Sequence, residues 1–142
     1  MKKTRLTADY YYNFTLLGLS SVAKEYKLAW SLNQVLQINL VKQDDIKIEF
    51  LNKNILVISN FLYQSENAII RFLNNKSFDQ GDESLFLIPE LRNFDFLIQI
   101  IDDADTFDIK EIIPKISALN VVSFVTEIDT DKLKSKENLI FD

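Results

Sequence analysis

Apolar residues recur along this chain in two rhythms, and the switches between them predict its elements. Asn13 to Ser20 alternates so that Phe14, Leu16 and Gly18 share one side and Leu17 and Leu19 the other, a strand apolar on both faces. From Ser20 or Ser21, either of which can cap a helix, the period lengthens. Leu28, Leu32, Val35 and Leu36 then fall on one stripe, widened by Ala29 and Trp30, and a helix is predicted to about Leu36. Ile38 to Lys42 reads as a short strand. It leads through Gln43-Asp44-Asp45 into Ile46-Lys47-Ile48-Glu49-Phe50, whose strict alternation marks a sheet with one wet face.

Asn52-Lys53-Asn54 looks like a hairpin turn, followed by strands over Ile55 to Tyr63 and Asn67 to Asn75 joined by Gln64-Ser65-Glu66. Links this short make antiparallel pairs. Lys76 to Ser84 reads as an internal loop with Asp79-Gln80-Gly81-Asp82 as its turn. Phe96 to Ile101 is a strongly apolar strand. After it, Thr106 is placed to cap a helix carrying Ile109, Ile112, Ile113, Ile116 and Leu119 on one face, with Pro114 expected to kink or restart it. Val121 to Ile128 completes a strand, helix, strand unit, for which a right-handed crossover is the rule. Asp129 to Lys136 is expected to be a solvated turn or short helix, and Leu139-Ile140-Phe141 is too apolar for a free tail and should dock on the chain itself or on a partner. The predicted class is a single α+β domain over residues 1–142, a mostly antiparallel sheet with two main helices packed on it. The first nine residues are expected to be mobile.

Length agrees with one domain: 142 residues, 47% hydrophobic, with 11 Phe, 5 Tyr and 1 Trp to fill a core. The absences change the picture more. There is no His and no Cys, which removes thiolate nucleophiles, imidazole-based triads, zinc sites and disulfides. Gly18 and Gly81 lie too far apart for a phosphate-binding loop. Any metal site would have to be built of oxygen ligands, and neither metal nor cofactor is expected. The net charge of −5, with arginine only at positions 5, 71 and 92, argues against nucleic acid. Without an apolar leader or a span of membrane length, the expected location is the cytoplasm, with no membrane partner.

Each cluster with chemical potential has a plainer role beside it. Asp102, Asp103, Asp105 and Asp108 crowd a turn as a hard-cation site would, but an EF-hand loop from Asp103 would need Gly at Asp108 and Glu at Pro114. Carboxylates ahead of a helix also favour its N-terminal dipole. Asp44 and Asp45 suit a turn. Tyr10, Tyr11 and Tyr12 could stack on bases, yet an edge strand or interface fits the charge balance better. A lone Trp in so small a domain is expected inside, with an interaction face for Trp30 and Tyr26 the other reading. Asn13-Phe14-Thr15 and Asn75-Lys76-Ser77 match a glycosylation pattern that means nothing without secretion.

The segment Ile88-Pro89-Glu90-Leu91-Arg92-Asn93-Phe94-Asp95-Phe96 resembles the signature of the IPExxxVDY family of small bacterial proteins, with Phe94 in place of Val and Phe96 in place of Tyr. Residues 25–33 and 133–141 are similar to other stretches of that family, so the resemblance spans nearly the whole chain. It implies no catalytic residues. Read physically, Pro89 biases Ile88 toward extended geometry, Glu90 could cap local N–H groups or pair with Arg92, and Asp95 could bond the turn that launches the next strand. A ligand site on Glu90, Arg92 and Asp95 is the sharper alternative, and it would make the chain a small-ligand binder or a carboxylate enzyme. The leading expectation is a non-enzymatic domain acting through a protein partner or self-association, as a homo-oligomer.

Overall fold

Residues with apolar side chains on both faces have to be covered on both, and that demand sets the architecture. A computed structural model describes residues 13–50, 54–77 and 85–141. In chain order the elements are β1 (Thr15–Ser20), α1 (Glu25–Leu36), β2 (Val41–Lys42), β3 (Ile46–Glu49), β4 (Ile55–Ile58), β5 (Asn60–Gln64), β6 (Ala68–Asn74), β7 (Phe96–Asp102), α2 (Ile109–Ser117) and β8 (Phe124–Ile128). Short 3₁₀ turns cover Pro89–Leu91, Thr130–Lys132 and Lys136–Leu139. The six-stranded sheet runs β2-β5-β6-β7-β1-β8, every neighbouring pair antiparallel, and β3 and β4 form a separate antiparallel hairpin. This is the expected α+β domain.

Both β7 and β8 run antiparallel to β1, so they are parallel to each other with β1 between them. The expected strand, helix, strand unit is therefore present but split by the first strand of the chain. One face of the sheet carries Leu17, Leu19, Ile70, Phe72, Ile98 and Ile100 against Leu28 and Leu32 of α1 and Ile112 and Ile116 of α2. The opposite face carries Leu16, Leu73 and Leu97 beneath Leu56 and Ile58 of the hairpin, Leu87 and Ile88 of the motif segment and Leu139 near the C-terminal end. Two cores thus flank one sheet, which accounts for the apolar residues on both faces of β7, interrupted only by buried Gln99 before Asp102 at its end.

Several expectations need correcting. The helix begins at Glu25 with Lys24 as its N-cap residue, because Ser21 turns its hydroxyl to the Val121 carbonyl and accepts from the Ala23 N–H instead (3.1 Å). Only Val41 and Lys42 of the Ile38 to Lys42 segment pair as strand; Leu40 gives its N–H to the Asn33 side chain (2.7 Å). The run Ile55 to Tyr63 is two strands in two sheets, broken at Ser59, whose buried hydroxyl donates to Glu25 (2.7 Å) and accepts from Lys42 Nζ (2.6 Å). Asp108, not Thr106, caps α2 by accepting from the Lys110 N–H, and Pro114 lies inside that helix. The last strand starts at Phe124 rather than Val121. Trp30 is 64% exposed and not a core residue. The Tyr10 to Tyr12 run, the Asn52-Lys53 part of the hairpin turn, Gly81 and the first nine residues lie outside the described residues.

Candidate functional site

The motif segment is built around one buried amide. Asn75, at the end of β6, is 0% exposed. Its Nδ2 donates to the carbonyls of Leu91 (2.9 Å) and Phe94 (3.1 Å), and its Oδ1 accepts from the Ile88 N–H (2.9 Å). Its backbone takes part too, donating to the Asp95 carbonyl (3.0 Å) and accepting from the Leu87 N–H (2.7 Å). One side chain therefore satisfies three backbone groups of the loop, beside the loop's own bonds from the Leu91, Arg92 and Phe94 N–H groups to the Ile88, Pro89 and Leu91 carbonyls. Pro89 opens the 3₁₀ turn from an extended Ile88, as the Ile-Pro pair requires.

Beyond Asn75 the segment closes over β1. The Phe94 ring lies on Gly18 so tightly that a Cβ there would come within 2.8 Å of it. That close approach is what glycine supplies in the middle of a buried strand. Phe94 stacks on Phe124 at 6.3 Å between ring centres.

The three residues singled out in the motif are directed to different neighbours. Glu90 accepts from the Ser135 N–H (2.8 Å) and hydroxyl (2.9 Å). Burial pushes its carboxyl up, but bonds from its own N–H, from Ser135 and from the Lys134 backbone outweigh this and hold it below the usual range. Asp95 accepts from the Ser21 N–H at 2.9 Å, at the exit of β1. Arg92 is exposed. The two carboxylates thus act as fasteners, one for the C-terminal segment and one for the first strand.

The C-terminal segment is held by further polar contacts. Gln99, 1% exposed in the middle of β7, donates to the Leu139 carbonyl (2.7 Å) and accepts from Arg71 (3.3 Å). Asn138 donates to the Leu87 carbonyl (2.8 Å), and Arg71 lies over the Phe141 ring at 4.8 Å. The Leu139-Ile140-Phe141 tail docks on the chain itself. Asn75, Gln99 and Ser135 escaped sequence reasoning. The Asn75-Lys76-Ser77 pattern matters for a different reason: Asn75 and Ser77 are both buried, and Ser77 exchanges hydrogen bonds with the Val57 backbone.

The concave surface lies elsewhere, at the end of the sheet where β1 begins. Three shallow cavities of about 250, 540 and 390 Å³ open there, lined in part by Phe14, Thr15, Asp105, Phe107 and Glu127. Asp102 accepts from the Phe107 N–H (2.7 Å) and so shapes the turn into α2, while its Oδ1 is buried without a partner. Asp105 takes a left-handed φ of 51°. Among the described residues no group of three or more acidic side chains is arranged to hold a metal ion. Asp45 pairs with Lys42 at 3.5 Å, and the Asp44 carbonyl accepts from Asn60, so this pair is turn chemistry.

Exposed large apolar side chains occur at and just before the start of α1, and also at Val41, Phe50, Ile55 and Phe124. Val22, Tyr26 and Trp30 are 101%, 66% and 64% exposed, and Tyr26 and Trp30 stand four residues apart on one helical face. Exposed Lys24 and Lys27 accompany them. No helix among the described residues is long and apolar enough to cross a membrane. No family model, curated protein or solved structure matches the chain.

Proposed function

We propose that this chain is a non-enzymatic cytoplasmic interaction domain whose outer α1 face docks a protein partner. The observation that carries this is the α1 ridge, the group Val22, Tyr26 and Trp30, three large apolar side chains left in water at and just before the start of α1, while Leu28, Ala29 and Leu32 of the same helix are buried. Tyr and Trp are the side chains most often found as interface anchors. Lys24 and Lys27 beside the ridge favour a partner with an apolar groove and carboxylates at its rim. The charge of −5 weighs against nucleic acid. Kinship with the IPExxxVDY family is part of the proposal and is supported by the Ile88 to Phe96 motif. A ligand site or enzyme on Glu90, Arg92 and Asp95 has less support, since Glu90 and Asp95 already accept hydrogen bonds from Ser135 and Ser21.

The test is a photoreactive phenylalanine analogue placed at Trp30 of the full chain inside its own cells. A discrete covalent adduct is expected that is absent with the analogue at exposed Glu111 and weakened several-fold by Lys27→Glu. Equal labelling from both positions, or none from Trp30, would overturn the reading.

A further inference from the structure

The two edges of the six-stranded sheet differ in how they meet water. At one edge β2 is two residues long and carries Lys42, whose ammonium is tied to Ser59 and Asp45. Short length and an edge lysine are the usual means of blocking further pairing. At the other edge β8 runs five residues, Phe-Val-Thr-Glu-Ile, with no Pro and no Lys. Among the described residues only β1 pairs with it. Alternate residues of β8 therefore turn their N–H and C=O groups outward along an unprotected strand.

The side chains of β8 are self-complementary about Thr126. Phe124, Thr126 and Ile128 share the face that carries Phe94, while Val125 is buried in the helix-side core. In an antiparallel pair of two copies, only the register centred on Thr126 aligns all five residues. It sets Phe124 opposite Ile128 of the copy on one face and Val125 opposite Glu127 on the other, so neither carboxylate faces a like charge. Aromatic and β-branched cross-strand pairs of this kind are favourable. Phe124 is 54% exposed and already braced by its stack on Phe94.

We infer that β8 is a self-association edge that pairs antiparallel with β8 of a second copy of this chain about a two-fold axis at Thr126. The sheet then continues from one protomer into the next. This surface is separate from the α1 ridge and goes beyond the reading given for it.

Light scattering on the eluting full chain at rising concentration, up to about 1 mM because a single strand pair is a small interface, tests this. The mass is expected to rise toward twice 16.6 kDa. Thr126→Lys and Thr126→Glu, each of which sets like charges opposite each other across the axis, should each stay at the monomer mass, and an equal mixture should regain the doubled mass. Tyr26→Ala with Trp30→Ala should leave the dimer intact, which separates this inference from the α1 reading. Hydrogen exchange on the unaltered chain adds a readout that needs no variant: alternate β8 amides should gain protection as concentration rises. A monomer at every concentration, a doubled mass that persists in Thr126→Lys, or β8 protection independent of concentration would each overturn the inference.

Discussion

Gly18 lies beneath the Phe94 ring at a distance that leaves no room for a methyl group, so the two positions are expected to behave as one unit. Gly18→Ala should destabilise the domain by about 1–3 kcal/mol through overpacking. Combining it with Phe94→Val, which removes the ring above the added methyl group, should recover part of that loss; urea titration of the two single variants and the double variant measures the coupling. Glu90 carries a pH dependence of definite sign. Its folded carboxyl titrates below the unfolded value of about 4.3, so the contact with Ser135 stabilises the fold above that pH and is lost as pH falls through the depressed folded value. Glu90→Gln should flatten the acid side of a stability profile below about pH 4 while leaving its neutral plateau parallel to the original. Glu90 and Asp95 were visible in the sequence as polar members of a motif. Asn75 was not, because the three loop groups it satisfies come from residues that only the fold brings to it.

The elements themselves followed from periodicity wherever one pattern met one environment. Phe96–Asp102 and the α2 stripe of Ile112 and Ile116 are such cases. The segment Ile55 to Tyr63 is not, since apolar residues resume directly after Ser59-Asn60 while the strand partner changes from β3 to β6. Helix α1 shows the same difficulty in another form: its apolar arc is wider than the buried one, and Trp30 falls on the side the sheet does not reach. At this scale the C-terminal segment offers the clearest test. Leu139 is 1% exposed in the second core and its carbonyl takes the bond from buried Gln99. Leu139→Ala should therefore cost about 2–5 kcal/mol, the range for a buried leucine, despite its position three residues from the end. A shift in the urea midpoint of less than a tenth of the original would contradict that docking.

At the scale of the molecule, one sheet between two cores makes the parts unequal in stability. Strands β1, β6 and β7 are hydrogen-bonded on both sides and covered on both faces, whereas among the described residues the β3–β4 hairpin has no further strand partner and covers one face. Local opening should follow that difference. Native-state hydrogen exchange is expected to release the hairpin amides at a lower free energy than those of β6 and β7, and uniform exchange across both sheets would contradict it. The same arrangement leaves two outward features, the α1 ridge and the β8 edge, that no strand or helix among the described residues covers.

By itself the sequence determined the α+β class, the alternation of most strands, the lack of imidazole and thiol chemistry, and an apolar tail that had to dock. These are local or compositional properties, and each is encoded within a few residues or in a simple count. Only the tertiary structure decided that β1 lies between β7 and β8, that the Ile55 to Tyr63 segment divides at Ser59 between two sheets, that Trp30 faces water, and that Asn75 and Gln99 lock the motif and the tail. Each of these depends on which distant segment arrives as a neighbour, and hydrophobic period carries no record of that.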